Sequence, residues 1–105
     1  MLIDEGQAQE ALPYLAAAVE GFAAEYPDGY WETAVATSLY GEAMMLTGAI
    51  DGTESHLRSG LDMLLASEDR DSRYTREAIQ RLLTYYERQD DAEKRTELQA
   101  LLESL

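Results

Sequence analysis

The chain has 105 residues, 28% of them charged, with a formal net charge of −13, one histidine and no cysteine. That length suits one domain with a small core, and the lack of thiols excludes disulfides, cysteine nucleophiles and cysteine metal sites. Residues 1–57 hold ten acidic residues and no lysine or arginine, while all eight basic residues lie between Arg58 and Arg95. Nucleic acid and anionic membrane are therefore excluded as partners, because half the chain offers no cation to displace counterions from phosphate. A basic peptide or protein surface would be steered favourably, although the plainer reading of the acidity is solubility. No stretch approaches the roughly 18 apolar residues of a membrane span. The N-terminus carries Asp4 and Glu5 but no base, unlike a signal peptide. A soluble, cytoplasmic protein is the expectation.

Every long segment has a helical period and none alternates as a strand does. The first expected helix, about 7–26, aligns Leu12, Leu15, Val19 and Phe22. Pro13 conflicts with it, since a proline beyond the first turn removes a hydrogen bond, so the regular part is expected nearer Ala11. Pro27-Asp28-Gly29 breaks the chain, and a second helix follows at about 31–47, ending at Gly48. Asp51, with Glu54 three residues on, resembles a capping box for a third helix at about 51–67, striped by Leu57, Leu61, Leu64 and Leu65. The polar run Glu68 to Ser72 precedes a fourth, about 73–88, striped by Ile79, Leu82, Leu83 and Tyr86. Gln89-Asp90 marks the next boundary, and a fifth helix is expected at about 91–103. Short loops make neighbouring helices antiparallel.

These segments repeat at a spacing of about 42 residues. Gly6, Ala11, Leu15, Ala18 and Val19 lie over Gly48, Thr53, Leu57, Gly60 and Leu61. Thr33, Ala36, Tyr40 and Met44 lie over Thr75, Ala78, Leu82 and Tyr86. With the spacing shortened by one, Leu57 and Leu61 meet Leu98 and Leu102. Such a period is the sequence form of stacked helical hairpins, which serve mainly as binding surfaces.

Tyr40-Gly41, Met44, Gly48, Thr53, Leu57 and Gly60 are ordered as in a tetratricopeptide repeat, which this unit resembles. The resemblance implies that small residues at 41, 53 and 60 let helices approach closely while Met44 and Leu57 fill the gap. The family's alanines stand here as Thr53 and Gly60, and its proline after the second helix is missing. The usual unit is about 34 residues, so the longer spacing is similar to the kinesin-light-chain-like branch. Arg81-Leu-Leu-Thr-Tyr-Tyr-Glu followed by Asp91-Ala-Glu-Lys-Arg resembles the closing repeat of arrays in many bacterial proteins, some attached to protein kinases.

The implied architecture is all-α: antiparallel hairpins stacked as a short tetratricopeptide-like solenoid of about five helices. Residues 1–105 form a single domain of about two and a half repeats, with the first helix of the first repeat missing and Met1-Leu2-Ile3 as its end. Such a stack falls short of the roughly three units usually needed, so the exposed repeat end suits self-association into a homo-oligomer. In the family, the first helices of successive units line a concave groove for extended peptides. Carried over, the partner-binding positions are Val35, Ser38, Glu42, Met45, Glu77, Gln80, Thr84, Glu87 and Arg88. No lysine stands among them, and Glu42, Glu77 and Glu87 would repel the carboxylate tail of a heat-shock chaperone. A basic, partly apolar peptide suits them better.

Chemistry-bearing patterns are weak by comparison. His56 sits next to Leu57 with Glu54 two residues away, a separation that does not share a helix face; it reads as a surface or helix-packing residue. Glu68-Asp69-Arg70-Asp71-Ser72 lacks the glycine and spacing of a calcium loop and reads as solvated. No Walker-type, dinucleotide or Gly-x-Ser-x-Gly pattern occurs. Catalytic, cofactor-binding and metal-binding residues are all expected to be absent, and the chain reads as no enzyme. Tyr30 and Trp31 read as a staple between loop and neighbouring helix rather than as partner anchors. Tyr86 reads as core and Tyr85 as pointing elsewhere.

The sequence thus predicts a non-catalytic protein-interaction module that binds a peptide or protein, preferably basic, in its concave groove. The alternative is a structural, capping or self-association segment of a longer repeat protein. A weaker alternative is an acidic mimic of nucleic acid, drawn from the uninterrupted negative charge of residues 1–57.

Overall fold

The computed structural model describes residues 5–25, 31–48, 52–66 and 72–105. Among them are five α-helices and no strand: α1 (Glu5–Glu25), α2 (Trp31–Leu46), α3 (Thr53–Ala66), α4 (Arg73–Arg88) and α5 (Ala92–Ser104). No helix among the described residues is long and apolar enough to cross a membrane. Several expectations fall on positions outside the described residues: Met1-Leu2-Ile3, the Pro27-Asp28-Gly29 breaker, Tyr30, the capping aspartate Asp51, and the run Glu68 to Asp71.

Helix ends follow local chemistry. Ser72 caps α4 in an extended conformation, its hydroxyl accepting from the Thr75 N–H at 3.2 Å. Asp91 caps α5 by accepting from the Lys94 N–H at 3.2 Å. Between them Asp90 takes a left-handed turn (φ 57°), and the Asp91 N–H reaches back to the Tyr86 carbonyl at 2.9 Å, satisfying an end group of α4. The one interior surprise is α1, which continues through Pro13 although the sequence places its regular part nearer Ala11. Gln9, whose carbonyl the proline leaves without a helical donor, is exposed along with Pro13 and Tyr14, so water reaches that side of the helix.

The helices stack as antiparallel hairpins around α2, which packs against α1, α3 and α4, while α4 also meets α3 and α5. Along the α2–α3 crossing, Met44 lies near Gly52, Gly41 near Leu57, and Ser38 and Ala34 near Gly60. A Cβ on Gly41 would stand 2.8 Å from Leu57 Cγ and 3.0 Å from its backbone nitrogen. One on Gly60 would stand 2.9 Å from the Ala34 carbonyl oxygen and from the Ser38 nitrogen. With neighbours on three sides, α2 buries Thr33, Ala34, Ala36, Thr37, Ser38, Gly41, Glu42 and Ala43. Thr37 returns its hydroxyl to the Thr33 carbonyl at 2.7 Å, which satisfies it inside the stack.

The core proper is Leu57, Leu61 and Leu64 of α3 with Ala78, Ile79, Leu82 and Tyr86 of α4, closed by Leu98 of α5. Each large aliphatic side chain buried here contributes about 1.5–3 kcal/mol. The two flanking helices differ. On α5 the outward residues Glu93, Lys94, Glu97, Gln99 and Glu103 are exposed, giving a polar end. Among the described side chains of α1 only Ala8 is buried, and the row Leu12, Leu15, Val19 and Phe22 is half-buried.

The α2–α3 spacing yields a prediction with an internal control. Gly60→Ala should destabilise the fold by about 1–3 kcal/mol, since its methyl meets backbone atoms that cannot turn away. Gly21, exposed on α1 with nothing within 4 Å of an added Cβ, should gain about 1 kcal/mol from the same change. Urea unfolding of both variants reads the two signs; equal responses would mean that α2 and α3 are not held at this distance.

Candidate functional site

The helices α2 and α4 lie side by side and parallel, as their matching contacts show. Near their N-terminal ends Trp31 stacks on Tyr74, with ring centroids 4.9 Å apart and planes 22° apart. Further along, Arg81 Nη1 donates to Ser38 Oγ at 3.1 Å. Arg81 Nε also lies 3.4 Å from a Glu42 carboxylate oxygen, and Nη2 lies 3.7 Å from Glu77. Along this face of α4 opens a cavity of about 320 Å³ lined by Arg73, Arg76, Glu77, Gln80, Arg81 and Thr84, with Glu42 contributed by α2.

Four of the nine groove positions carried over from the resemblance, Glu42, Glu77, Gln80 and Thr84, share this cavity. Val35 does not; it lines a separate groove between α1 and α2. Met45 is half-buried, and Glu87 and Arg88 are exposed, outside the cavity walls. Ser38 is fully buried and holds Arg81, so it supports the cavity and offers no surface to a ligand.

The electrostatics of the cavity are mixed. The case for a basic ligand rests on Glu42, Glu77 and Glu87. Yet the Glu42 side chain is only 8% exposed and faces Arg81, whose own side chain is 6% exposed. Arg73 Nε lies 3.6 Å from Glu77 across one helical turn. With Arg73, Arg76 and Arg81 in its wall against Glu42 and Glu77, the cavity carries both signs, with one more base than acid. These arginines are what sequence reasoning missed. The signal was present: at the repeat spacing Arg73 and Arg81 stand where Trp31 and Leu39 stand in the preceding copy. A base at a position that is apolar in the sister unit marks a site with a partner to pair.

His56 behaves as a packing residue. Its Nδ1 lies 2.8 Å from the Gly52 carbonyl oxygen, so the proton sits on Nδ1. The ring meets Tyr40 edge-on at 4.9 Å. Glu54 turns elsewhere and accepts from the Tyr86 hydroxyl, which in turn accepts from Arg58 Nε at 3.0 Å. Burial first, and then the hydrogen bond to Glu54, push the Tyr86 phenol up to about 12 against the opposing pull of Arg58. It therefore keeps its proton at neutral pH and ties α4 to α3. Tyr86 is core, as its place in the stripe suggests, and Tyr85 is half-buried beside it. Trp31 spans from α2 to α4, stapling two helices, while staying 41% exposed.

The Glu42–Arg81 pair is buried deeply enough to predict a large asymmetry. Arg81→Leu alone should cost about 3–5 kcal/mol, because it strands the Glu42 carboxylate. Adding Glu42→Leu should recover most of that loss, since an apolar pair of similar volume replaces the ions. Thermal unfolding of the two single variants and the double measures the coupling; additive losses would contradict the pairing.

No protein-family model, no curated protein and no solved structure matches this chain.

Proposed function

We propose that this chain is a non-catalytic protein-interaction module that holds a segment of a partner protein against the face shared by α2 and α4. The observation that carries the reading is the cavity of about 320 Å³ on that face. Parallel helices build it, and four positions that the tetratricopeptide resemblance independently assigns to a groove line it. The close approach of α2 and α3 at Gly41 and Gly60 supports the same reading, because it is what the small residues of such a unit are for.

The chemistry of the wall describes the ligand. Gln80 and Thr84 offer neutral hydrogen-bonding groups, Arg73 and Arg76 offer donors, and Glu77 accepts. The Glu42–Arg81 pair is buried and already engaged with itself. An extended peptide with polar side chains of both signs fits this wall better than a uniformly basic one, because like charges facing each other are costly.

A second reading, a capping or self-association segment of a repeat protein, has one observation in its favour. The outward face of α5 is polar, as terminal repeats of such stacks require.

Selection of peptides from a displayed random library by the purified protein tests the first reading. Enriched sequences should lose binding by about tenfold or more to the Gln80→Arg/Thr84→Arg double variant, which alters only exposed positions. Enrichment that the double variant leaves intact would move the site elsewhere. No enrichment, together with a solution mass at twice 11.7 kDa, would favour the structural reading.

A further inference from the structure

The internal repeat allows the two halves of the fold to be compared residue by residue. In the second half, Leu57 and Leu64 of α3 share the core with Ala78 of α4, and α2 packs against both helices, meeting Gly60 on one and Arg81 on the other. Ala34 and Ser38 sit against Gly60, Ser38 and Glu42 engage Arg81, and Trp31 covers Tyr74. The helix α2 presents Trp31, Ala34, Ser38 and Glu42, one row of a helix, with small residues at the point of closest approach.

At the matching positions of the first half, Leu15, Ala18 and Phe22 of α1 and Ala36 and Leu39 of α2 line a groove of about 320 Å³, with Trp31 and Val35 in its wall. Among the described helices α1 meets α2 alone, so none of them fills this groove as α2 fills its counterpart. The burial pattern says the same. Leu57 and Leu64 are 0% and 2% exposed, whereas their counterparts Leu15 and Phe22 are only half-buried.

We infer that the α1–α2 groove seats an amphipathic α-helix of a partner protein. That helix has small residues at its crossing point, an apolar residue opposite Leu39, and lysine or arginine on its flanks. A helix is indicated over an extended strand because the equivalent groove is shaped around one. Small residues are required because Ala18 stands where Gly60 does and leaves even less room. The apolar residue follows from Leu39 replacing Arg81: an acid in the place of Glu42 would be buried without a cation. Basic flanks follow from charge. Glu32 lines the groove, Glu25 continues the row of Leu15, Ala18 and Phe22, and no base precedes Arg58. A second copy of the chain fits poorly. Its α5 already turns Leu98, Leu101, Leu102 and Leu105 onto its own core, and pairing groove to groove would set glutamate against glutamate.

The protein carries its own reporter, since Trp31 is its one tryptophan, lines the groove and is 41% exposed. The probe is a synthetic peptide of the α2 sequence, Trp31–Leu46, with Trp31→Phe, Glu32→Lys, Val35→Lys, Leu39→Lys and Glu42→Leu. Titration should shift Trp31 emission to the blue in a saturable way. In the protein, Ala18→Arg should weaken binding by about tenfold or more. Leu39→Arg should switch preference toward the same peptide with Glu42 retained, reproducing the Arg81–Glu42 pairing. That gain of function does not depend on a destabilised variant. Gln80→Arg/Thr84→Arg should leave the titration unchanged, which separates this groove from the α2–α4 cavity. The inference is overturned by the absence of any shift, or by equal binding of a peptide with glutamate in place of the three lysines. It is also overturned if the Gln80/Thr84 variant abolishes binding, or if the protein alone doubles its mass with Trp31 already blue-shifted.

Discussion

At the crossing of α2 on α3, Gly60 lies so near the backbone of Ala34 and Ser38 that a single methyl group would have to displace one of them. That distance sets the rest of the stack. It holds Ser38 against Gly60 and, with Glu42 on the same row of α2, within reach of Arg81 of α4. It lets Leu57, Leu61 and Leu64 fill one continuous core with Ile79, Leu82 and Tyr86. A helix wedged among three others has no room for leucine on every side, so α2 is built of alanine, glycine, serine and threonine. Its one buried acid is tolerated because an arginine from the neighbouring unit reaches it.

This explains what could and could not be read from the sequence. Helices α1, α3 and α4 announce themselves through apolar rows, and the boundaries at Gly48, Ser72 and Asp90 through residues that cap or turn the backbone. The repeat spacing also discloses the close approach at Gly41 and Gly60. The central role of α2 is not visible in this way. Hydrophobic periodicity reports helices that are covered on one side, and α2 is covered on three, so its pattern is nearly flat. The site was legible in part. Glu77, Gln80 and Thr84, carried over from the resemblance, do line the cavity, but a resemblance in position says nothing about side-chain pairing. Ser38 and Glu42 turn inward because Arg81 offers a bond that water would otherwise supply. Only the mismatch between Arg81 and Leu39 at equivalent repeat positions carries that information.

The two flanks of the stack are chemically unlike, and the charge distribution follows the difference. The α5 flank ends in polar residues and lies within the part of the chain that carries every base. The α1 flank keeps an apolar row half-covered, inside a segment that carries only acids. Solubility alone explains a negative surface, but it does not explain why the half-covered row of α1 lies in the half of the chain that has no base. Glu32 in the wall of the apolar groove, in a half of the chain without a base, discourages pairing with a second copy and, on the inference above, favours an oppositely charged occupant. The α2–α4 cavity instead mixes three arginines with two glutamates, so on the readings proposed above the two surfaces would select different ligands.

Native-state hydrogen exchange tests the central claim, that α2 is the shared wall of the fold and that, among the described helices, α1 is held by α2 alone. Amides of α2 from Ala34 to Ala43, with those of α3 facing them, should open only with the highest free energies in the chain. Those of α1 around Leu15 to Phe22 should open by a separate, less costly step. Protection in α1 equal to that in α2, lost in the same cooperative event, would contradict the account.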